Sequence, residues 1–415
     1  MTLTTPTAQS ADTRQASLTA WLLQRGQVGE EQQQLLEGYC RLLLDLGVPL
    51  LRLHVAQSAF HPKYGGIGFD WLRNEGMSRQ TYEHNPTPRD DWLKSPLYYL
   101  LSSGEGEIRE RVPQDDAPAR FPILNDLKAL GATDYFAAAV QLEEHDPGQP
   151  VDPNNAPEGV LISWVSDART GFSDADIDLI RAGLPALVLA LKSAANRRIA
   201  EDLMQVYLGR DAGRRVLSGE IQRGSLQTID AVLLYFDLQG FTKLSEQIPG
   251  DDLIAMLNAY FGVAVQGVHA FDGSILKFMG DGMMAMFNLN TAASSAAAGL
   301  DAVAQLRRAL VELQSERAAV GLTNTGVTFA LHAGEILYGN IGAENRLDFT
   351  VIGPAVNLTA RLSGMHRAVG QDVIVSDAVR RAAGQTEHDL ISLGRYMLRG
   401  VSEPQELFTI YGGEG

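Results

Sequence analysis

The spacing of large apolar side chains divides the chain into two stretches of different texture. From Leu18 to Leu46, the positions Leu22, Leu35, Leu36, Leu42, Leu43 and Leu46 suggest helices. Short apolar runs at Leu50 to Val55, just after the Pro49 break, and at Gly68 to Arg73 read as strands. Helical segments are expected around Ser95 to Ser102 and near Ile123 to Ala129, and apolar strands at Tyr135 to Leu142 and Gly159 to Val165. The last two strands bracket EEHDPGQPVDPNNAPEG, whose Pro, Asn, Asp and Gly content marks a long surface hairpin excursion. Then GFSDADIDLIRAGLPALVLAL opens with a Ser173 N-cap signal and sets Ile177, Ile180, Leu184, Leu187, Val188 and Leu191 at helical spacing. The pattern runs on weakly through Ala195, Ile199, Leu203 and Val206. One long helix could therefore leave the first domain and enter the second, and two copies of it could pair as a parallel coiled coil.

From about residue 229 the pattern changes to alternating strands and helices with glycine-marked turns, an α/β reading. Ala231 to Phe236 reads as a buried strand that ends in Asp237. Leu253, Met256, Leu257, Tyr260, Phe261, Ala264, Val265 and Val268 form one helical stripe, which is core packing. GSILKFMGDGMMAMFN reads as two short strands joined at Gly280, Asp281 and Gly282, an Asp-Gly hairpin. RLDFTVIGPAVNLTARL reads as a strand through Phe349 to Ile352, a Gly353-Pro354 turn and a helix.

Composition narrows the picture. The length of 415 residues predicts two or three domains, and 45% hydrophobic with 20% charged residues is ordinary for folded ones. Residues 1 to about 15 have almost no large apolar side chains and read as a mobile tail. A formal charge of −16 argues against nucleic acid polymers and anionic membranes as partners, whereas a free trinucleotide can be bound through a metal ion that supplies positive charge. The single cysteine, Cys40, excludes an internal disulfide and reads as a buried small hydrophobe. With no secretory pattern at the amino terminus and no run approaching eighteen apolar residues, the expected location is cytoplasmic.

The candidate chemistry lies in the second stretch. Asp237 ends a strand, and the turn through Leu238, Gln239, Gly240, Phe241 and Thr242 offers backbone N–H groups to phosphate oxygens; a turn or capping role for Asp237 is the alternative. Asp281 could do no more than make its hairpin turn, but Lys277 in so apolar a strand points to a further role. Strand, helix and hairpin can lie in one sheet layer with Asp237 and Asp281 near each other at its rim. Two carboxylates without histidine or cysteine suit Mg²⁺ or Mn²⁺, and a pair of such ions can clamp both oxygens of a phosphoryl transfer. Asn357 and Arg361, four residues apart, share a helix face; they either orient a ribose and neutralise charge at phosphorus or form a solvated surface. His61, between Phe60 and Pro62, is either a pocket residue or a surface histidine.

FDLQGFT, LKFMGDG, LHAGEILYGNIG and DFTVIGPAVNLTARL, in this order over about 180 residues, resemble the successive signature segments of class III adenylyl and guanylyl cyclases. The resemblance implies a ferredoxin-like, palm-type catalytic domain over residues 229–415 that acts as a head-to-tail homodimer with sites built across the interface. It implies two Mg²⁺ or Mn²⁺ ions per site, held by Asp237, Asp281 and the Leu238 carbonyl. Phe241 and Thr242 fall in the turn facing the phosphates, Lys277 and Thr350 match the positions that read the purine, and Asn357 and Arg361 match those that orient the ribose and stabilise the transition state. Arg399 stands where the family commonly places a phosphate-contacting lysine, with a surface ion pair as the alternative. Lys277 favours ATP over GTP. Thr350, where aspartate is commonest, relaxes base discrimination and resembles a bicarbonate-responsive branch. Residues 16–195 resemble a GAF-like sensor domain with amino-terminal helices, responding to an effector that the sequence does not name, and 196–228 a helical transducer. The expected activity is conversion of ATP to cyclic AMP and pyrophosphate. A guanylyl or mixed-specificity cyclase and a catalytically silent dimeric module are the competing readings.

Overall fold

The computed structural model describes residues 10–58, 64–84, 89–115, 118–142 and 159–411. His61 and the hydrophilic loop after Leu142 lie outside these residues. The chain forms two compact units, Met1–Asp202 and Leu203–Gly415, which divide inside the segment expected to be the transducer.

In the first unit the elements run α1 (Ala11–Val28), α2 (Gln32–Asp45), β1 (Leu50–Ser58), β2 (Tyr64–Leu72), β3 (Gly76–Glu83), α3 (Asp90–Leu93), α4 (Pro96–Ser103), β4 (Glu107–Arg111), α5 (Ile123–Ala129), β5 (Asp134–Gln141), β6 (Gly159–Ser166) and α6 (Asp174–Leu208). The six strands form one antiparallel sheet in the order β3-β2-β1-β6-β5-β4, flanked by helices, an arrangement compatible with the GAF-like expectation. Alternation along the strands feeds two cores. Leu53, Val55, Phe136 and Trp164 meet Leu36, Tyr39 and Leu43 of α2 and Ile180, Leu187 and Leu191 of α6 on one face. Tyr135, Ala137 and Val165 meet Leu97, Leu100, Leu124 and Leu127 on the other. Inside the first core, Trp164 Nε1 donates to Tyr39 Oη at 3.2 Å, and burial pushes the Tyr39 phenol far above its usual range. Cys40 is buried there, as its composition-level reading expects.

One expectation changes and one is met. A helix starts at Ala11, inside the span expected to be a mobile tail, because Ser10 Oγ accepts from the Thr13 amide and caps it. Its Leu18 and Leu22 are buried, and they anchor polar residues that look unstructured by composition. The weak apolar pattern after Leu191 is one helix with what precedes it: α6 runs for 35 residues, with Pro185 inside it. Ser173 caps it as expected, its Oγ accepting from the Asp176 amide at 3.2 Å while the Asp176 carboxylate accepts from the Ser173 amide at 3.0 Å.

The second unit continues with α7 (Arg210–Leu217), β7 (Leu226–Leu238), α8 (Phe241–Ser245), α9 (Gly250–Ala270), β8 (Ser274–Met279), β9 (Gly282–Phe287), α10 (Ala292–Ala319), β10 (Val327–Ala343), β11 (Arg346–Ile352), α11 (Pro354–Ser363), α12 (His366–Val369), β12 (Val373–Ser376), α13 (Asp377–Ala383), β13 (Leu390–Tyr396) and β14 (Gln405–Ile410). Its eight-stranded sheet has the order β13-β14-β12-β10-β7-β9-β8, with β11 pairing the distal half of β10. The α9 stripe is core as expected, although it is graded: Met256, Tyr260, Ala264 and Val268 are buried against α10 and the sheet, while Leu253, Leu257, Phe261 and Val265 are only partly covered. Among the described residues α9 is the one helix long and apolar enough to cross a membrane, a property that the count of uninterrupted apolar residues does not show; here one of its faces is core.

The most demanding polar burial in the first unit is Asp134, which is fully buried and accepts from Arg109 Nη2 at 2.8 Å and from the Phe172 amide at 3.0 Å. Removing Asp134 leaves the buried Phe172 amide without its acceptor and Arg109 without its partner, a loss that typically costs about 1–3 kcal/mol. Asp134→Ala should therefore lower the thermal midpoint of this unit by several degrees, read by circular dichroism, whereas Asp178→Ala on the exposed surface should leave it within a degree.

Candidate active site

Asp237 and Asp281 reach one rim of the second sheet through strand pairing. β7 pairs with β9 so that Asp237 stands opposite Gly282, the residue after Asp281 in the hairpin. The Leu238 amide donates to the Asp281 carbonyl at 3.3 Å and ties the strand end to the turn. Gly280 takes φ 64° there, a left-handed conformation that a glycine adopts without strain. Gly282 serves a different purpose, since a Cβ at that position would lie 3.0 Å from Asp237 Oδ1 and 3.3 Å from the Tyr235 hydroxyl. Any larger residue would press on the Asp237 carboxylate and the Phe236 carbonyl, which would have to shift.

Electrostatics mark the pair. Desolvation first, and then the neighbouring Asp281 charge, push the Asp237 carboxyl up to about 6. Among the described residues no lysine, arginine or histidine forms an ion pair with either aspartate. Tyr235, which the sequence reading did not single out, belongs to the same cluster: burial and the two carboxylates raise its phenol. Its place two residues before Asp237 on one strand was the available signal, since residues i and i+2 face the same way.

The donor set fits a divalent ion of the Mg²⁺ or Mn²⁺ kind, because it is hard oxygen only and its charge is uncompensated by the protein. Among the described residues no cluster of three or more His, Cys, Asp or Glu side chains is present, so a third ligand here would come from backbone, water or substrate.

Lys277 arrives on its face through an irregularity. β8 pairs Ile275 with Ala285 and Lys277 with Met284, so Leu276 is an extra residue in the ladder. Ala285 and Met284 face opposite sides of the sheet, and the bulge thereby turns Lys277 away from the core face occupied by Ile275. Its Nζ donates to Asp348 Oδ2 on β11 at 3.1 Å. Thr350, two residues further along β11, is buried, and its Oγ1 has no hydrogen-bond partner. A buried hydroxyl without a partner is costly, and a ligand group would satisfy it.

Asn357 and Arg361 project from exposed positions on α11, the helix that follows Gly353-Pro354. Neither is bonded to Asp237 or Asp281 within the chain. Arg361 Nη1 donates to the Gly400 carbonyl at 3.1 Å, which brings it beside the loop that carries Arg399. Arg399 is exposed and forms no ion pair among the described residues. Phe241 packs partly into the core and Thr242 is exposed in the first turn of α8.

Comparison with known proteins follows the same division of the chain. The sequence model of the adenylate and guanylate cyclase catalytic domain matches residues 225–412. Residues 225–412 are a class III cyclase domain. Adenylate cyclase 1 of Rhizobium meliloti is 31% identical over 233 residues, 55% of this chain and 34% of that protein. An adenylate cyclase of Anabaena cylindrica is 28% identical over 165 residues, 39% of this chain and 32% of its own length. The chain thus spans about a third of these relatives. Among solved structures, the adenylyl cyclase CyaB from P. aeruginosa is 24% identical, with a TM-score of 0.43 over 46% of this chain and 97% of that one.

The raised Asp237 carboxyl has a consequence for stability. The folded cyclase domain holds this proton more tightly than the unfolded chain, whose value is near 3.8, so folding takes up a proton between there and about pH 6. Stability contributed by this group falls as pH rises through that window, and above it the charged pair is a burden tempered by solvent screening. Metal-free Asp237→Asn should therefore melt a few degrees above the native protein at pH 7.5, and the difference should vanish near pH 3.5, followed by differential scanning fluorimetry.

Proposed function

We propose that the protein is an adenylate cyclase that converts ATP to 3′,5′-cyclic AMP and pyrophosphate at a site shared by two copies of the cyclase domain, under the influence of its first unit. The observation that carries this reading is the pair Asp237 and Asp281, coupled through space and left without a protein cation at the end of a cyclase-type hairpin. In the reaction the ribose 3′-oxygen forms a bond to the α-phosphorus, the bond from that phosphorus to the β-bridging oxygen breaks, the hydroxyl proton passes to solvent, and pyrophosphate leaves. Divalent ions held by Asp237, Asp281 and the Leu238 carbonyl supply Lewis-acid neutralisation of the triphosphate when bound. Arg361 stabilises the charge that develops on the phosphoryl oxygens, Asn357 orients the ribose, and Arg399 contacts phosphate beside it. The turn at Phe241 and Thr242 lies against the triphosphate. Lys277 donates to the purine, and Thr350, with its unsatisfied hydroxyl, completes the base contact.

Two observations support assembly of the site across a dimer. Asn357 and Arg361 form no hydrogen bond or ion pair with Asp237 or Asp281 of their own chain. An apolar face also remains open on α9 and β8, where Ile254 is 57% and Phe278 51% exposed and the tilted rings of Phe278 and Phe261 meet with centroids 4.7 Å apart. The naming of two relatives as adenylate cyclases supports the reaction, and Lys277 supports ATP. The continuous helix α6, which leaves the first unit and ends at Leu208, supports regulation by that unit.

The test measures both cyclic products from ATP and GTP with Mg²⁺ or Mn²⁺. Cyclic AMP formation by the native chain that drops at least a hundredfold in Asp281→Ala bears the reading out. No product from either nucleotide with either metal overturns it. Mixing Asp281→Ala with Arg361→Ala chains, each inactive alone, should restore up to about a quarter of native activity if one complete site forms per mixed dimer; no recovery on mixing would place all the groups in one chain.

A further inference from the structure

The ion pair between Lys277 and Asp348 carries a consequence for base selection. Asp348 lies on β11 two residues before Thr350, so the two side chains leave the strand on the same side. The bulge at Leu276 brings Lys277 to meet Asp348, with Nζ and Oδ2 3.1 Å apart. Neither partner is deeply buried, their side chains being 36% and 59% exposed, so the contact is open to a ligand.

Resting on the cyclase reading, we infer that Asp348 is a positioning residue for nucleotide specificity: it holds the Lys277 ammonium in one direction and thereby sets the preference between purine bases. The reasoning is chemical. Adenine presents an acceptor at N1 beside donors on its exocyclic amino group, while guanine presents an acceptor at O6 beside an N–H donor at N1. A lysine left free on its flexible stem can donate to either acceptor, because an ammonium is a point charge with three rotatable donors, so the ATP preference that Lys277 supports requires the ammonium to be held. With one donor committed to Asp348, the ammonium offers the remaining two along a restricted set of directions. The hydroxyl of Thr350 both donates and accepts and so cannot discriminate unaided. The sense of the base code then depends on where the lysine is held, and the residue that holds it is Asp348.

The experiment compares the full-length native protein with Asp348→Asn, which keeps the shape and removes the charge, and Asp348→Glu, which restores the charge. Steady-state rates with ATP and GTP should show the ATP to GTP ratio of kcat/KM falling about tenfold in Asp348→Asn, through KM, with kcat for ATP within about twofold, and recovering in part in Asp348→Glu. In a Lys277→Ala background, Asp348→Asn should change the ratio less than twofold, because the residue acts through the lysine. A ratio unmoved by Asp348→Asn in the native background overturns the inference, as does an equal loss of kcat for both nucleotides accompanied by a lowered melting temperature. Titration calorimetry with ATP and with GTP separates this from the fate of the cyclase reading. A native protein that forms no cyclic product but binds the two nucleotides with an Asp348-dependent preference overturns the reaction and keeps the base-selection role. An active native protein indifferent to Asp348→Asn does the reverse.

Discussion

The repulsion between two carboxylates at the rim of one sheet is the constraint around which the cyclase domain is organised. Strand pairing sets Asp237 opposite Gly282 and so beside Asp281. The glycine leaves the space in which the Asp237 carboxylate sits, and partial burial sharpens the mutual repulsion until one carboxyl holds its proton to about pH 6. Two carboxylates held in this way without an internal cation have the donor chemistry that suits a hard divalent ion. The net charge of the chain is itself strongly negative, so in the proposed function a bound ion, rather than a general positive field, would make an anionic substrate acceptable.

The remaining groups are held in ways that leave them available. Arg361 is steadied by a single carbonyl, that of Gly400, and stays exposed next to Arg399. Lys277 is steadied by a carboxylate at a half-open surface, and Thr350 keeps a buried hydroxyl unsatisfied. Each arrangement has a hydrogen-bonding capacity unspent in the chain alone, which accords with the proposed site in which substrate and a second copy would complete the contacts. Across the sheet from these groups, Val232, Phe236, Met283 and Ala285 pack against α9 and α10, so the rim is carried by a rigid core.

Much of this was legible in the sequence because it depends on local signals. Asp-Gly between apolar runs specified the hairpin, Gly353-Pro354 specified the start of α11, and Ser173 specified the start of α6. What escaped was set by tertiary context. Strict alternation would put Lys277 on the side of Ile275, and only the paired partner strand reveals the extra residue that turns it around. Tyr235 and Asp348 look like ordinary strand residues until the sheet brings them to the carboxylates and to the lysine. β3 was missed because GMSRQTYE is mostly exposed and lacks an apolar face, and the first turn of α1 because its side chains are small and polar. Where a segment's place is decided by what packs on it, its own pattern says little.

The most direct test of the central claim is binding of Mn²⁺ in the presence of a non-cyclisable ATP analogue, followed by electron paramagnetic resonance at pH 7.5. The account predicts that the native protein removes free Mn²⁺ signal with saturable affinity, and that Asp237→Asn and Asp281→Asn each weaken this at least tenfold without loss of fold. Equal binding by all three proteins would contradict it, since the carboxylate pair would then hold no ion and the chemistry assigned to this rim would have no foundation.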